Sequence, residues 1–173
     1  MIQAFEPGIQ FEIPSNWVRT GQGNSSTYMT ETSENFDNVL SIDIIKPLSA
    51  SGSDNEIALN NEIENIYAGK SLGNSTLYSD PIIENITIDG TPATMYTYYL
   101  APSDEMDNSS TLEYCKDVLF EHDGQIYHLL FWEGKWVEDR NWPAWLEKII
   151  PQLTVESRLD NRANTILDSI KFE

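Results

Sequence analysis

The chain has 173 residues, 40% of them apolar and 11% aromatic, a composition that suits one domain of ordinary size with a real core and excludes a disordered chain. Ten basic against 28 acidic residues give a formal charge of −18. That charge repels phosphate backbones and anionic headgroups within about a Debye length, so nucleic-acid and membrane-surface partners are not expected. No apolar run approaches the roughly 18 residues of a membrane span, and the first residues lack the basic and apolar parts of a signal peptide. The chain is therefore expected either to work in the cytoplasm or to follow a leader or anchor that this sequence does not include. Cys115 is the single cysteine, which rules out an internal disulfide, and its place mid-strand suits a small buried side chain rather than a reactive thiol.

Ile9 to Ile13 alternates with period two and stops at Pro14, which predicts a short strand, after which Trp17 and Val18 fold back onto the core. Residues 20–26 read as turn-forming, followed by a short strand near Thr27 to Thr32. Val39 to Ile45 is a clearer strand, with Leu40, Ile42 and Ile44 on one side, Ser41 and Asp43 on the other, and Pro47 as its stop. The spacing predicts a helix over Asp54 to Ala68, with Asp54 as N-cap, Leu59, Ile63, Ile66 and Tyr67 as its buried stripe, and Gly69 as its stop.

Two Asp-Gly pairs between β-prone runs, Asp89-Gly90 and Asp123-Gly124, predict hairpins, since Gly accepts positive φ without steric cost. Strands over Leu77 to Ile88, Thr91 to Leu100, Leu112 to Phe120 and Ile126 to Trp132 then form a four-strand antiparallel meander. In the last strand Ile126, His128, Leu130 and Trp132 share one face, while Tyr127, Leu129 and Phe131 share the other. Both faces are apolar and both need a cover, which argues for a sheet between two helical layers. The connection Ala101 to Ser110 reads as an acidic mobile loop. Trp142, Trp145, Leu146 and Ile149 fit a helix capped by Asn141, with Pro143 in its first turn and Pro151 as its end. A second helix over Val155 to Ile170 presents Val155, Leu159, Ala163, Ile166, Leu167 and Ile170. The expected fold class is thus α/β: a three-layer α/β/α sandwich around a largely antiparallel sheet, formed by residues 1–173 as one domain.

Four short motifs carry a family resemblance: Phe11-Glu12-Ile13-Pro14-Ser15-Asn16-Trp17, Ile88-Asp89-Gly90-Thr91-Pro92-Ala93, Gln125-Ile126-Tyr127, and Ile166-Leu167-Asp168-Ser169-Ile170-Lys171-Phe172. With the order of elements they resemble the PsbP-like family, whose fold is an α/β/α sandwich. The resemblance implies a non-catalytic role, since members of the wider superfamily include photosystem accessory subunits of the thylakoid lumen, prokaryotic surface lipoproteins, a nuclear import factor that binds a small GTPase, and chaperones of secretion effectors. The Trp-rich segment 132–160 departs from the simple prokaryotic pattern by its length.

Catalytic constellations are not readable. His122 and His128 are the two histidines, and there is no Gly-x-Ser-x-Gly elbow, phosphate loop or dinucleotide fingerprint. Glu121, His122 and Asp123 at a tight turn are the candidate metal ligands, and Asp104, Glu105 and Asp107 offer oxygen donors to a hard cation. A solvated hairpin tip and a solvated loop are the plainer readings of both groups. His128 is expected to be a hydrogen-bonded histidine of the core. Trp142 and Trp145 fit as anchors under their helix, and Trp136 is the candidate exposed contact for a partner. Sequons at Asn24, Asn74, Asn85 and Asn108 are candidate glycosylation sites.

These readings point to a non-enzymatic binding or accessory module, extracytoplasmic or on the cell surface and lipoprotein-like, with no required cofactor and a protein partner. A divalent cation is the one ligand the acidic groups suggest. The alternative is an intracellular partner-binding protein, such as a chaperone that shelters an apolar client segment in a groove beside the Trp cluster.

Overall fold

Asp89 and Asp123 adopt φ of 46° and 48°, and Gly90 and Gly124 follow at 84° and 73°. The coordinates are those of a computed structural model, which describes residues 1–30, 39–45, 52–68, 76–78, 80–101, 112–135 and 150–173. Positive φ at both central residues is the type I′ turn, whose twist matches its flanking strands and which fixes their register. One such turn joins β7 (Ile82–Ile88) to β8 (Thr91–Ala101), and the other joins β9 (Leu112–His122) to β10 (Gln125–Lys135). With β8 paired antiparallel to β9, these strands form the expected meander.

The meander is part of a larger sheet. β5 (Val39–Ile45) pairs with β10, and β4 (Ser25–Thr30) and β3 (Trp17–Gln22) continue outward from it. At the opposite edge β8 is flanked twice, by β6 (Thr76–Leu77) near its end and by β7 near its start. A small second sheet is built from β1 (Ile2–Glu6), β2 (Ile9–Ile13) and β11 (Lys171–Phe172). Among the described residues all strand pairings are antiparallel.

Helix α1 (Gly52–Tyr67) packs on β9 and β10 from one side. Its Ile66 joins Tyr96, Tyr98, Leu100, Cys115, Leu119 and Leu130 in one core, with Leu59, Ile63 and Trp132 at its margin. Helix α2 (Ile150–Ser169) and the small sheet cover the other side, where Leu159, Ala163, Ile166, Phe11 and Ile9 meet Val118, Phe120, Tyr127, Leu129 and Phe131. The fold is therefore a three-layer α/β/α sandwich, largely antiparallel. β10 shows why both layers are needed: Ile126 and Leu130 on one face and Tyr127, Leu129 and Phe131 on the other are all buried.

Several boundaries differ from expectation. Residues 20–26 are not all turn: Thr20 to Gln22 belong to β3, and only the Gly23-Asn24 turn separates it from β4, the glycines having hidden a strand. The run Leu77 to Ile88 is split, since Pro81 has no N–H to give to the ladder. α1 begins at Gly52, so Asp54 sits in its first turn rather than capping it, and Tyr67 at its end is 46% exposed rather than part of the buried stripe. Pro151 does not end a helix. It lies in the first turn of α2, where its missing N–H costs nothing. β1 was not foreseen, and Pro7-Gly8 turns it into β2. Ala101, expected to open the acidic loop, instead ends β8, and the rest of that loop (102–110), the helix over 141–149 and the stop at Gly69 lie outside the described residues.

Candidate functional site

The two-residue turn at Asp123-Gly124 pairs His128 with Leu119 and Leu130 with Asp117. Strand alternation then puts His128 and Asp117 on the α1 side as diagonal neighbours, within reach of each other. Asp117 accepts hydrogen bonds at both carboxyl oxygens: Oδ1 contacts His128 Nε2, and Oδ2 takes the Tyr98 hydroxyl. The other imidazole nitrogen, Nδ1, lies 3.2 Å from Glu62 Oε2 of α1. His128 is 6% exposed, Asp117 0% and Tyr98 1%. Burial alone would lower the imidazole pKa, but the hydrogen bonds and charges of Asp117 and Glu62 outweigh it and push His128 up to about 10. The group is thus an imidazolium at neutral pH, held between acids contributed by a strand and a helix.

Cys115 shares this face and is fully buried. Burial, reinforced by Asp117 and Glu113, pushes its thiol well above the ordinary range, so it is not a ready nucleophile. Glu113 is likewise raised by burial, and its Oε2 has no hydrogen-bond partner.

Two further polar groups tie the layers together. On the α2 side Lys116 Nζ reaches Asp160 Oδ1 at 2.9 Å, and the Tyr114 hydroxyl donates to the same oxygen at 3.1 Å. Beside the small sheet Glu6 is buried and receives Arg19 Nε at 2.7 Å, Arg19 Nη2 at 3.1 Å and the Tyr28 hydroxyl. Burial would raise the Glu6 carboxyl, but the hydrogen bonds from Arg19, Tyr28 and Ser26 prevail and hold it below its ordinary value.

Because α1 sits over β9 and β10, β7 and the start of β8 are left beside it, and a groove of about 460 Å³ opens there. Leu59 and Ile63 of α1 form one wall. Asn85, Ile86, Ala93, Thr94, Tyr96 and Leu119 line the sheet side, and Glu121 stands at the hairpin end. The volume lies within the range of ordinary ligand sites, roughly 300–1,000 Å³, and the lining is mostly apolar with a few polar groups.

The residues singled out in the sequence scatter. Alternation turns Glu121 toward α1, where Asn55 Nδ2 donates to its Oε1 at 2.6 Å. His122 turns the other way and stacks on Phe172 with ring centroids 3.7 Å apart; its Nε2 lies 3.8 Å from Asp123. The three do not converge, and among the described residues no group of three or more His, Cys, Asp or Glu side chains is placed to hold a metal. His128 is the hydrogen-bonded core histidine expected of it. Asn24 and Asn85 are exposed, in the β3–β4 turn and on β7. Trp136, Trp142, Trp145, Asn74, Asn108, Asp104, Glu105 and Asp107 lie outside the described residues. Asp117 and Glu62 were missed as partners of His128, although an acid amid an apolar strand was a signal.

The sandwich with its helix-flanked antiparallel sheet defines a class of fold shared with solved structures. Cyanobacterial PsbP (CyanoP) from Synechocystis sp. PCC 6803 is similar with a TM-score of 0.56 at 16% identity, over 96% of this chain and 87% of that one. A protein from Bacteroides thetaiotaomicron VPI-5482 is similar at a TM-score of 0.52 and 10% identity, over 95% of this chain and 45% of that one. At these identities the likeness is one of fold. No protein-family model and no curated protein matches the chain by sequence. Among the described residues no helix is long and apolar enough to cross a membrane.

Proposed function

We propose that this protein acts by binding, as a non-enzymatic accessory module of the PsbP-like type, with a protein partner received at the groove between α1 and β7–β9. The observation that carries this is the contrast between its chemistry-bearing groups and its open surface. General acid–base or nucleophilic work needs a side chain within hydrogen-bond reach of a substrate. His128, Asp117, Tyr98 and Cys115 are enclosed under α1; His128, Asp117 and Tyr98 are bonded to one another and to Glu62, and the Cys115 thiol donates to Glu113 O at 3.8 Å. The groove, by contrast, is open and apolar. The fold likeness to CyanoP supports the same reading, as does the family resemblance of the motifs. An extracytoplasmic setting fits the acidic surface and the exposed sequon residues Asn24 and Asn85.

The test is a broad hydrolase screen of the purified protein with and without divalent ions, alongside titration of those ions followed by Trp fluorescence. No turnover is expected. Turnover that vanishes in Asp117→Asn or in a Glu121, His122 and Asp123 triple replacement would overturn the reading, whereas saturable quenching without turnover would make the module cation-dependent.

A further inference from the structure

β7 is the edge strand beside the groove, and among the described residues it pairs only with β8. An edge strand presents a row of unpaired N–H and C=O groups, and natural proteins usually blunt it with Lys, Pro, a bulge or a cover. Pro81 stands just before β7, but the seven residues of the strand, Ile-Ile-Glu-Asn-Ile-Thr-Ile, hold no Lys or Pro, pair with β8 without a bulge and are rich in β-branched side chains. Ile82 and Ile83 are 65% and 52% exposed, one on each face of the sheet, and Tyr78 just before them is 67% exposed. Among the described residues no further strand pairs with this edge, and with apolar groups on both faces it is a template for one more strand.

The charges around it say what that strand carries. α1, β6, β7 and β8 contain no Lys or Arg, and the one in β9, Lys116, lies on the face of Ile82 and Glu84, where it is buried and paired with Asp160. Glu84 on β7, Asp80 before it, Glu121 at the groove end and Glu56 and Glu64 on α1 are all acidic and not buried. A second copy of the chain would bring Glu84 and its neighbours against their own kind, which is unfavourable across a strand pair. We infer that β7 receives an extended segment of a partner protein, apolar residues alternating with Lys or Arg, as an added antiparallel or parallel strand. Its backbone pairs with the β7 edge; because side chains alternate between the faces, its apolar residues lie on the α1 side over Ile83 and the groove, and its cations lie on the other face beside Glu84. This rests on the binding reading above and names its partner.

The experiment uses the full chain made in bacteria, so that Asn85 carries no glycan, and a fluorescein-labelled peptide of nine residues in which Lys alternates with Ile or Val. A second peptide of the same composition, with all Lys grouped at one end, keeps the charge and loses the alternation. Anisotropy titration is expected to show saturable binding of the first, at least about tenfold tighter than the second, a difference of about 1.4 kcal/mol. Ile83→Lys should weaken it by a similar factor. Phe5→Lys, an equal change of charge at a comparably exposed residue of the small sheet, should leave it unaltered. Circular dichroism checks that both variants fold. Equal binding of the two peptides, equal loss in the two variants, or no binding would overturn the inference, and so would a dimer in sedimentation velocity that Ile83→Lys abolishes. Each of these outcomes leaves the non-catalytic reading standing, since that reading falls only to turnover.

Discussion

Glu62 and His128 join α1 to the central sheet: the carboxylate Oε2 lies 3.2 Å from imidazole Nδ1, with Glu62 partly exposed and His128 buried. On its other side the ring is held by Asp117, itself fixed by Tyr98, and Asp43 of β5 is the register partner of His128. A buried ionic chain of this kind adds little net stability when whole, but it is costly to break, since the partner left behind remains charged in a poor solvent.

Asp117→Asn is therefore expected to destabilise the protein by about 3–5 kcal/mol, the range for removing one member of a buried pair. Glu62→Gln should cost less, because Glu62 keeps some contact with water. Urea unfolding of the two variants checks the order, and near-equal midpoints would mean that the His128 charge is not confined as the geometry requires.

The same group sets a pH dependence. His128 titrates at about 10 when folded and near the ordinary 6.5 when unfolded, so the folded state binds the proton more tightly. Its contribution is fully present below pH 6.5, declines as pH rises through the interval, and is gone above about 10. The stability difference between wild type and His128→Asn should accordingly shrink between pH 6 and pH 10. A difference that stays constant across that range would show that the proton is not held.

Leu130 sits between His128 and Trp132 on the α1 face of β10, 4% exposed. Truncation to Ala removes buried methyl groups and leaves a cavity, which should cost about 2–5 kcal/mol. Ile57→Ala on α1, where Ile57 is 59% exposed, should change stability by under about 0.5 kcal/mol. Chemical denaturation that ranked them the other way would remove β10 from the centre of the fold.

How much of this was legible follows from the range of the interactions. Turn chemistry and alternation are local, so the two I′ hairpins, the doubled apolar face of β10 and the stripe of α2 could be read directly from residues. The Asp117–His128 contact was nearly legible, since a two-residue turn at Asp123-Gly124 fixes the register that makes them diagonal neighbours. Glu62 was not, because which turn of α1 lands over β10 depends on helix docking. β3 was hidden by its glycines, and β1 by a turn at Pro7-Gly8 whose partner strand is specified by packing rather than by pattern. The groove arises from where α1 stops covering the sheet, and no local pattern encodes that.

Gly8 offers the most stringent local test, because two independent constraints meet there. Its φ of 81° lies in the region that L side chains disfavour by about 1–2 kcal/mol. A Cβ added at Gly8 would also run into the Tyr127 hydroxyl, which donates to Pro7 O at 3.1 Å and so is held in place. Gly8→Ala should thus cost the backbone strain plus an overpacking penalty of about 1–3 kcal/mol. Tyr127→Phe removes the clashing oxygen at the cost of one hydrogen bond, about 1 kcal/mol. In the Phe background Gly8→Ala should cost only the backbone part, so the double mutant should be more stable than the sum of the single changes predicts. Strict additivity in urea unfolding would mean that the ring moves aside freely, and that the turn between β1 and β2 is not pinned against the central sheet.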